Sequence, residues 1–471
     1  MVNKKWICII LPRGESFRNF IYSDFILNLR RHFQIILISV IPSSDFIDII
    51  KINSDKFIQL NETKENYLLR FIREITDLSH NRYLWSQAAK TRWKMRDVES
   101  NTLNRKLKRE IKKFIATVLS NNFLLSKLDY LYEKLFYKSK NIVEFDKLFK
   151  EIKPDLVFNT SHSHSVIAEK VIMAAQKNKI KTSTFLFSWD NLTSQGRMFP
   201  QYDYYFAWNS KIKKDLLKIY PKAVSENVFV TGTPQFSFHF IDKFIIERKK
   251  FLKKLGLMEN DKYILYSAGM SHHVPHEPYV IERISNIIKS IDKNLKLVVR
   301  TYAKDKSGIY DDLKKRRTDI LIPGVKWEKN YATPLIEDSY FYSNLLRYCE
   351  IGINIASTVS LELCMFNKPA INIGYNPPGI VVYPYDYTRY YEFDHYKPIA
   401  QSGAVDIVKD EKELQSSIKK YLKNPEIDSD KRLKLIKDFF EIEIVSFEEY
   451  FKSSNVNIIS SLEKIIFAKS N

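Results

Sequence analysis

"CEIGINIASTVSLELCMFNKPAINIGY", residues 349–375, runs from an apolar stretch through Ser-Thr into a short amphipathic segment with one acid, Glu362, and then through Lys-Pro into a second apolar stretch. Both apolar stretches have the unbroken character of strands buried on two faces of a parallel sheet. In such a sheet, ligands sit beyond the carboxyl ends of the strands, where the following helix points its first N–H groups. Ser357 is the expected N-cap, leaving the amides of Thr358, Val359 and Ser360 for an anion, with the positive end of the helix dipole behind them. Thr358 and Glu362 are four residues apart and share a helix face, so Glu362 lies too far in to bind phosphate and well placed to accept from a ribose diol. The spacing suits a nucleotide diphosphate. It equally suits a serine that caps a core helix beside a solvated glutamate.

The chain around this motif has 471 residues, more than one ordinary core supports, so two domains of about 200 residues each are expected. With 45% hydrophobic and 14% aromatic residues and only 11 glycines, it is globular rather than disordered or fibrous. Cys8, Cys349 and Cys364 are far apart and odd in number, which argues against a disulfide framework or a cysteine-based zinc site and fits a reducing cytoplasm. The opening "MVNKKWICIILPRGES" has lysines before an apolar run, but the run is short and ends in Pro-Arg-Gly-Glu, so it is read as a first buried strand rather than a signal peptide. A net charge of +20 points to an anionic partner or surface: nucleic acid, acidic lipid or a phosphorylated substrate.

Strand and helix patterns alternate from "WICIIL" through "QIILISVI", and again after Pro154 through "DLVFNT", "KTSTFLFS", "YDYYFAW" and "NVFVTGTPQF". Between them, residues 60–150 are helical in period, aromatic and basic. A second alternation holds "KYILYSAG", "LKLVVRTY" and the opening motif. These patterns predict an α/β fold of two Rossmann-like lobes facing a central cleft. The expected domains are an acceptor-binding lobe over 1–240 with a basic helical insertion over about 60–150, a nucleotide-sugar-binding lobe over 241–410, and helices over 411–471 packing back across the lobes.

Strand, "STVSLE", helix and "NKPAINI" together resemble the nucleotide-binding segment of the GT-B glycosyltransferases, especially bacterial surface-polysaccharide transferases and the related CDP-glycerol glycerophosphotransferases. "FSWDNLTSQGRMFPQYDYYFAW" followed by "VFVTGTPQF" is similar to the end of the first lobe in such enzymes, where the last strand meets a Gly-x-Pro hinge. The resemblance implies a metal-independent transferase with no cofactor beyond its nucleotide-sugar donor, in which Ser357, Thr358 and Val359 hold the diphosphate and Glu362 the ribose. "LVVRTYAKD" departs from the glycerophosphotransferase pattern Arg-x-His-Pro: Arg300 is kept, as a candidate to neutralise diphosphate or as a salt-bridged surface residue, while Tyr302 and Ala303 replace the His and Pro.

Further candidates lie in loops after predicted strands. Ser271 and its neighbouring amides, in "YSAGMSHHVPHEP", are candidates to cradle phosphate, with His272 donating to the leaving diphosphate. His272, His273, His276 and Glu277 do not have a helical two-histidine ligand spacing, and Pro275 interrupts them, so no metal site is assigned. In the first lobe, Glu15 in "PRGESFRN" is the first choice for the base that activates an acceptor hydroxyl, with Arg18 orienting the acceptor; His162 in "FNTSHSHSV" is the second, and His164 an acceptor contact. Asp190 of "SWDN" is a cleft-lining candidate, and Trp189 beside it either stacks on a sugar or anchors the loop.

The segment "NRKLKREIKKF", residues 104–114, sets Leu103, Leu107, Ile111 and Phe114 on one helix side bordered by cations, which suits either an anionic membrane or packing on its own lobe. The reading that combines these features is a glycosyltransferase of surface-polysaccharide biosynthesis, using a glycan or lipid-linked acceptor, cytoplasmic or peripheral on the inner membrane leaflet. A nucleotide-sugar epimerase or glycerophosphotransferase of the same fold is the enzymatic alternative. A non-catalytic scaffold and a nucleic-acid binder are the others, and no nucleic-acid recognition motif supports the last.

Overall fold

The computed structural model describes residues 4–41, 46–61, 65–163, 166–443 and 446–468. The chain divides into two compact units, Met1–Ser237 with Tyr450–Asn471, and Phe238–Glu449.

The first unit is built on β1 (Trp6–Leu11), β2 (Gln34–Ser39), β3 (Lys56–Gln59), β4 (Leu156–Asn159), β5 (Lys181–Phe185), β6 (Tyr204–Ala207) and β7 (Val228–Val230). They form one sheet in the order β3-β2-β1-β4-β5-β6-β7. Every neighbouring pair is parallel. The order reverses between β1 and β4, the place where open α/β sheets bind ligands. The central strands are dry: Ile7 through Leu11 and Leu156 through Phe158 have no exposed surface. That is why their sequences read as continuous apolar runs rather than alternating ones.

Between β3 and β4 the chain leaves the sheet for the helices Tyr67–Leu84, Gln87–Glu99, Leu103–Val118, Asn122–Tyr137 and Val143–Ile152. Side-chain caps start the first four, from Asn66, Ser86, Thr102 and Asn121, each accepting from an N–H three residues on. The final helix, Phe447–Phe467, packs on this unit, with Asn455 Nδ2 donating to the Ser23 carbonyl and Phe467 stacked on Phe33.

The second unit contains β8 (Tyr263–Ser267), β9 (Lys296–Arg300), β10 (Ile320–Leu321), β11 (Trp327–Glu328), β12 (Thr333–Pro334), β13 (Ile351–Asn354), β14 (Ala370–Ile373) and β15 (Val405–Val408). Six of them make a second parallel sheet, β10-β9-β8-β13-β14-β15, while β11 and β12 pair as a small antiparallel ribbon. The helices Glu411–Lys423 and Ser429–Phe440 belong to this unit. The chain is thus an α/β protein of two Rossmann-like parallel sheets with a helical insertion in the first unit.

Gly352 fixes the distance between β13 and the helix Val359–Met365. A Cβ at this position would lie 2.2 Å from Leu363 Cδ1, and Leu363 is itself fully buried against the strand. The missing side chain lets the helix that carries Glu362 settle onto the sheet. Gly352→Ala is therefore expected to destabilise the second unit by about 1–3 kcal/mol through overpacking, read as a lowered midpoint of urea unfolding. An unchanged midpoint would show that the helix is not held at this spacing.

Candidate functional site

Glu362 is the centre of the arrangement in the second unit. It lies one turn into the helix after β13 and is 5% exposed. Its Oε1 is 3.0 Å from His239 Nε2 and its Oε2 accepts from Tyr342 OH at 2.6 Å. His239 is fully buried, and its Nδ1 is 3.2 Å from Ser343 Oγ. With Nε2 donating to the carboxylate, Nδ1 is left to accept from the serine hydroxyl. The sequence-level alternative of a solvated glutamate is overturned: burial without partners would be costly for a carboxylate, and here two donors meet it.

The turn before that helix differs from expectation. Thr358, not Ser357, takes the N-cap position of Val359–Met365, without a side-chain cap bond. Ser357 instead closes a turn: its Oγ accepts from Val359 N–H at 3.3 Å and its carbonyl from Ser360 N–H at 3.0 Å. The amides of Val359 and Ser360 are thus engaged within the turn, not left open as the sequence spacing predicted. Asn354, at the end of β13, orders this turn, its Oδ1 accepting from Ser357 N–H, Ser360 Oγ and Asn372 Nδ2. Tyr396 OH closes the network on Ser360 Oγ and Asn372 Oδ1. Asn354 and Asn372 are polar interruptions inside apolar strands, a signal visible in "GINIA" and "AINIG" that the sequence reading passed over.

Arg300, at the end of β9, is neither open toward a ligand nor on the surface. It is 6% exposed and forms a bidentate pair with Asp338, at 2.9 and 2.6 Å. Asp338 is further satisfied by Trp327 Nε1 at 2.7 Å and Lys326 N–H at 3.1 Å. The charge offered to diphosphate in the sequence reading is thus neutralised within the protein. Its guanidinium lies 5.6 Å from the ring centre of Tyr342, so Arg300 supports the tyrosine that holds Glu362.

In the loop after β8, Ser271 Oγ donates to Asp305 Oδ1 at 2.5 Å, which places a carboxylate where phosphate was expected. His272 is exposed, its ring 4.3 Å from that of His273. Glu277 turns inward, fully buried, accepting from Tyr266 OH, Tyr310 OH and Gly269 N–H at 2.8, 2.7 and 3.0 Å. Burial pushes its pKa up to about 7 despite those donors. A cation not singled out from sequence reaches this loop: Arg389 donates to the His273 carbonyl at 3.1 Å, and to the Asp386 carbonyl and Tyr390 OH. Among the described residues, none of its hydrogen bonds goes to a carboxylate, and its buried Nε has no hydrogen-bond partner.

In the first unit, Glu15 is buried and held by Arg13, whose Nε and Nη2 donate to its two oxygens at 2.9 and 2.7 Å. Arg13 stacks over Phe187 at 4.4 Å, and Phe187 N–H lies 3.3 Å from His162 Nδ1. Glu15 and His162 are thereby linked at the carboxyl ends of β1, β4 and β5. Arg18 is part-buried in the short helical segment Phe17–Ile21. His164 falls outside the described residues. Asp190 serves its own loop, accepting from Ser188 Oγ and, at 2.8 Å, from Ser194 Oγ. His162 also lines a cavity of about 240 Å³ beneath the helical insertion.

The helix Leu103–Val118 turns its apolar stripe outward. Leu103, Leu107, Ile111, Phe114 and Val118 are 52–86% exposed, while Arg109 and Ala116 on the opposite side are its buried residues. Packing of the stripe on its own lobe is excluded. By helical spacing Lys106 and Lys108 border it on either side, while Lys112 pairs with Glu74 at 2.6 Å and Lys113 with Asp97 and Glu110 at 3.2 and 2.8 Å. Among the described residues, no helix is long and apolar enough to cross a membrane.

No protein-family model matches the chain, and no curated protein matches it. Among solved structures the fold is similar to a putative UDP-N-acetylglucosamine 2-epimerase from Listeria monocytogenes, with a TM-score of 0.55 and 11% identity over 100% of this chain and 98% of that one. It is similar to the UDP-GlcNAc 2-epimerase from Neisseria meningitidis bound to UDP-GlcNAc, at 0.54 and 13% over 98% and 100%. A glycosyltransferase from Rickettsia africae ESF-5 aligns at 0.52 and 14% over 99% and 100%. At these identities the likeness is one of fold, the GT-B-like pair of Rossmann lobes.

Glu277 supplies a pH test. Its folded pKa is raised above the unfolded value, so its contribution to stability is complete below about pH 4.5 and is lost as the pH rises through about 7. Within that window stability is expected to fall by at most about 1.4 kcal/mol per pH unit from this group. Glu277→Gln flattens that part of the profile, measured by denaturant unfolding from pH 4 to 8. An unaltered profile would mean that Glu277 is ionised throughout.

Proposed function

We propose that the chain is a glycosyltransferase, moving a sugar from a nucleotide-sugar donor to a glycan or lipid-linked acceptor in surface-polysaccharide biosynthesis. The observation that carries this reading is the buried Glu362, fixed by Tyr342 and His239 one turn past the end of β13. Tyr342 and His239 orient this carboxylate, and a carboxylate is the acceptor that a ribose diol needs. Arg389, rather than Arg300, is assigned to offset the charge of the diphosphate, with His272 and the Ser357–Thr358–Val359 turn beside the phosphates; Ser271, bonded to Asp305, is not retained. The 3.3 Å contact of Val359 N–H with Ser357 Oγ is long for a hydrogen bond and yields readily to a phosphate oxygen.

For the acceptor hydroxyl, His162 is assigned as the base ahead of Glu15, whose two oxygens are occupied by Arg13. Arg18, His164 and Asp190 remain assigned to the acceptor side. The second reading is a nucleotide-sugar epimerase, favoured by the fold of the Listeria and Neisseria proteins. UDP-GlcNAc incubated without acceptor separates the two: formation of an isomer supports epimerisation, whereas an intact donor with acceptor-dependent release of UDP supports transfer. CDP-glycerol as the donor tests the glycerophosphotransferase alternative in the same assay.

A thermal-shift panel of nucleoside mono- and diphosphates tests the site itself. One diphosphate is expected to raise the melting temperature, and Glu362→Gln to weaken its binding about tenfold, or about 1.4 kcal/mol. Equal binding to parent and variant would remove Glu362 from the donor site.

The helix Leu103–Val118 is assigned to an anionic bilayer, into which its exposed stripe inserts while the flanking lysines meet acidic headgroups. Sedimentation with phosphatidylglycerol-containing vesicles is expected, weakening as salt rises, with little on pure phosphatidylcholine. The pair Leu107→Asp and Phe114→Asp should abolish it. Undiminished sedimentation of that variant would overturn the assignment.

A further inference from the structure

The cavity of about 240 Å³ in the first unit has an unbalanced charge. It lies between the helices Tyr67–Leu84 and Gln87–Glu99 and the loops after β4 and β5, and the "SQGRM" segment, residues 194–198, helps to close it. Gly196 is what lets that segment rest on the insertion: a Cβ there would sit 2.4 Å from Asp77 Oδ1, the atom that accepts from Arg197 N–H at 2.9 Å. The wall is therefore built by close backbone approach, not by a loosely placed loop.

Two of the lining guanidiniums are committed elsewhere. Arg197 pairs with Asp129 at 2.8 Å, both side chains nearly inaccessible, and Arg73 forms a fork with Glu65 at 2.8 and 2.7 Å. Arg92 and Arg96 are different. Among the described residues neither has a carboxylate within ion-pair distance, and the hydrogen bond Arg92 makes is to the neutral Gln195 Oε1 at 3.2 Å. Arg92 is largely withdrawn from water, and that burial, together with the charge of Arg96, depresses its pKa. The charges of Asp77 and Asp190 offset part of this, while burial disfavours the ionised forms of Asp77 and Glu169 and raises both pKa values. The withdrawn guanidinium of Arg92, with the exposed one of Arg96 a helical turn along, is relieved by an anion that joins them.

The cavity also offers an acceptor. Asn81, 4% exposed, donates through Nδ2 to the Asp77 carbonyl at 2.8 Å, while its Oδ1 has no hydrogen-bond partner among the described residues. Such a buried oxygen is satisfied by a hydroxyl. An adjoining groove shares Arg73, Asp77 and Arg96 with the cavity and continues past Arg105, Lys108 and Lys112 of the membrane-assigned helix, so the approach is cationic as well. The volume is below the roughly 300–1,000 Å³ of sites for drug-sized ligands, which limits the occupant to a single small unit.

We propose that this cavity binds one anionic sugar, its phosphate or carboxylate held by Arg92 and Arg96 and a hydroxyl donated to Asn81 Oδ1. The binding inference stands on the first unit alone and holds whether the chain transfers or epimerises; under the transfer reading it makes the acceptor terminus an anionic sugar beside His162.

Titration calorimetry on the full chain tests it, with glucose 6-phosphate, glucuronate, glucose and inorganic phosphate as the injected probes. At least one charged sugar is expected to bind, with glucose and inorganic phosphate tenfold weaker or more, and with affinity falling as salt is raised. Arg92→Gln and Arg96→Gln are each expected to weaken that binding tenfold or more. The Arg96 side chain is exposed, so Arg96→Gln preserves the fold and decides the matter should Arg92→Gln fail to fold. Absence of binding by either charged sugar at millimolar concentration, or undiminished binding in Arg96→Gln, overturns the proposal. Inorganic phosphate binding as tightly as glucose 6-phosphate overturns the sugar assignment. These outcomes are independent of whether a nucleotide binds to the second unit.

Discussion

The carboxylate of Glu362 is the constraint around which the second unit is organised. An acid at this depth persists only if donors replace the water it has lost, and each donor must then be held in turn. Tyr342 and Ser343 come from one helix, His239 from the segment that begins the unit, and Arg300 from the tip of β9. Arg300 lies against Tyr342 and is itself neutralised by Asp338, one helical turn before Tyr342 on the same helix. The result is a closed chain of support, in which removing one partner of the buried Arg300–Asp338 pair costs about 3–5 kcal/mol. Rigidity of that kind is what a polar group needs if it is to meet a ligand in a fixed orientation.

Each unit holds both paired and unpaired arginines. In the second, the buried Arg300 is paired with Asp338, and Arg389 reaches the loop after β8 bonded to carbonyls and a tyrosine hydroxyl. In the first, Arg92 and Arg96 have no carboxylate within ion-pair distance among the described residues, whereas Arg109, Lys112 and Lys113 of the helix Leu103–Val118 are paired with Asp97, Glu74 and Glu110. Folding alone does not favour the placement of Arg92, because partial desolvation and the charge of Arg96 both act against it.

The fold was legible because buried parallel strands leave a local signature. "WICIIL", "QIILIS", "KYILYS" and "EIGINIA" each become a strand within a residue or two of the apolar run, and the aromatic, basic stretch over 60–150 becomes helices. The site was legible only in part. Glu362 and the apolar stripe of Leu103–Val118 could be placed from spacing along one helix, but not the outward direction of that stripe. His239 could not, since it meets Glu362 across 123 positions, and the Asp338 that takes Arg300 out of play lies 38 positions away. The N-cap shift from Ser357 to Thr358 depends on Asn354 reaching into the turn from the strand end, a tertiary contact that outranks local capping preference. The Arg92–Arg96 cavity needed the insertion, the β4 loop and the 194–198 segment to be seen together.

The helical insertion leaves the first sheet after β3 at one edge and re-enters at β4 beside β1, so no residue of its helices takes part in the strand pairing. Register in the sheet is set elsewhere, by β1 against β2 and β4. Selection can accordingly rewrite the length and chemistry of this module while the scaffold stays fixed. Diversification of what the first unit recognises is then decoupled from the evolution of its framework, a modularity written into the connectivity itself.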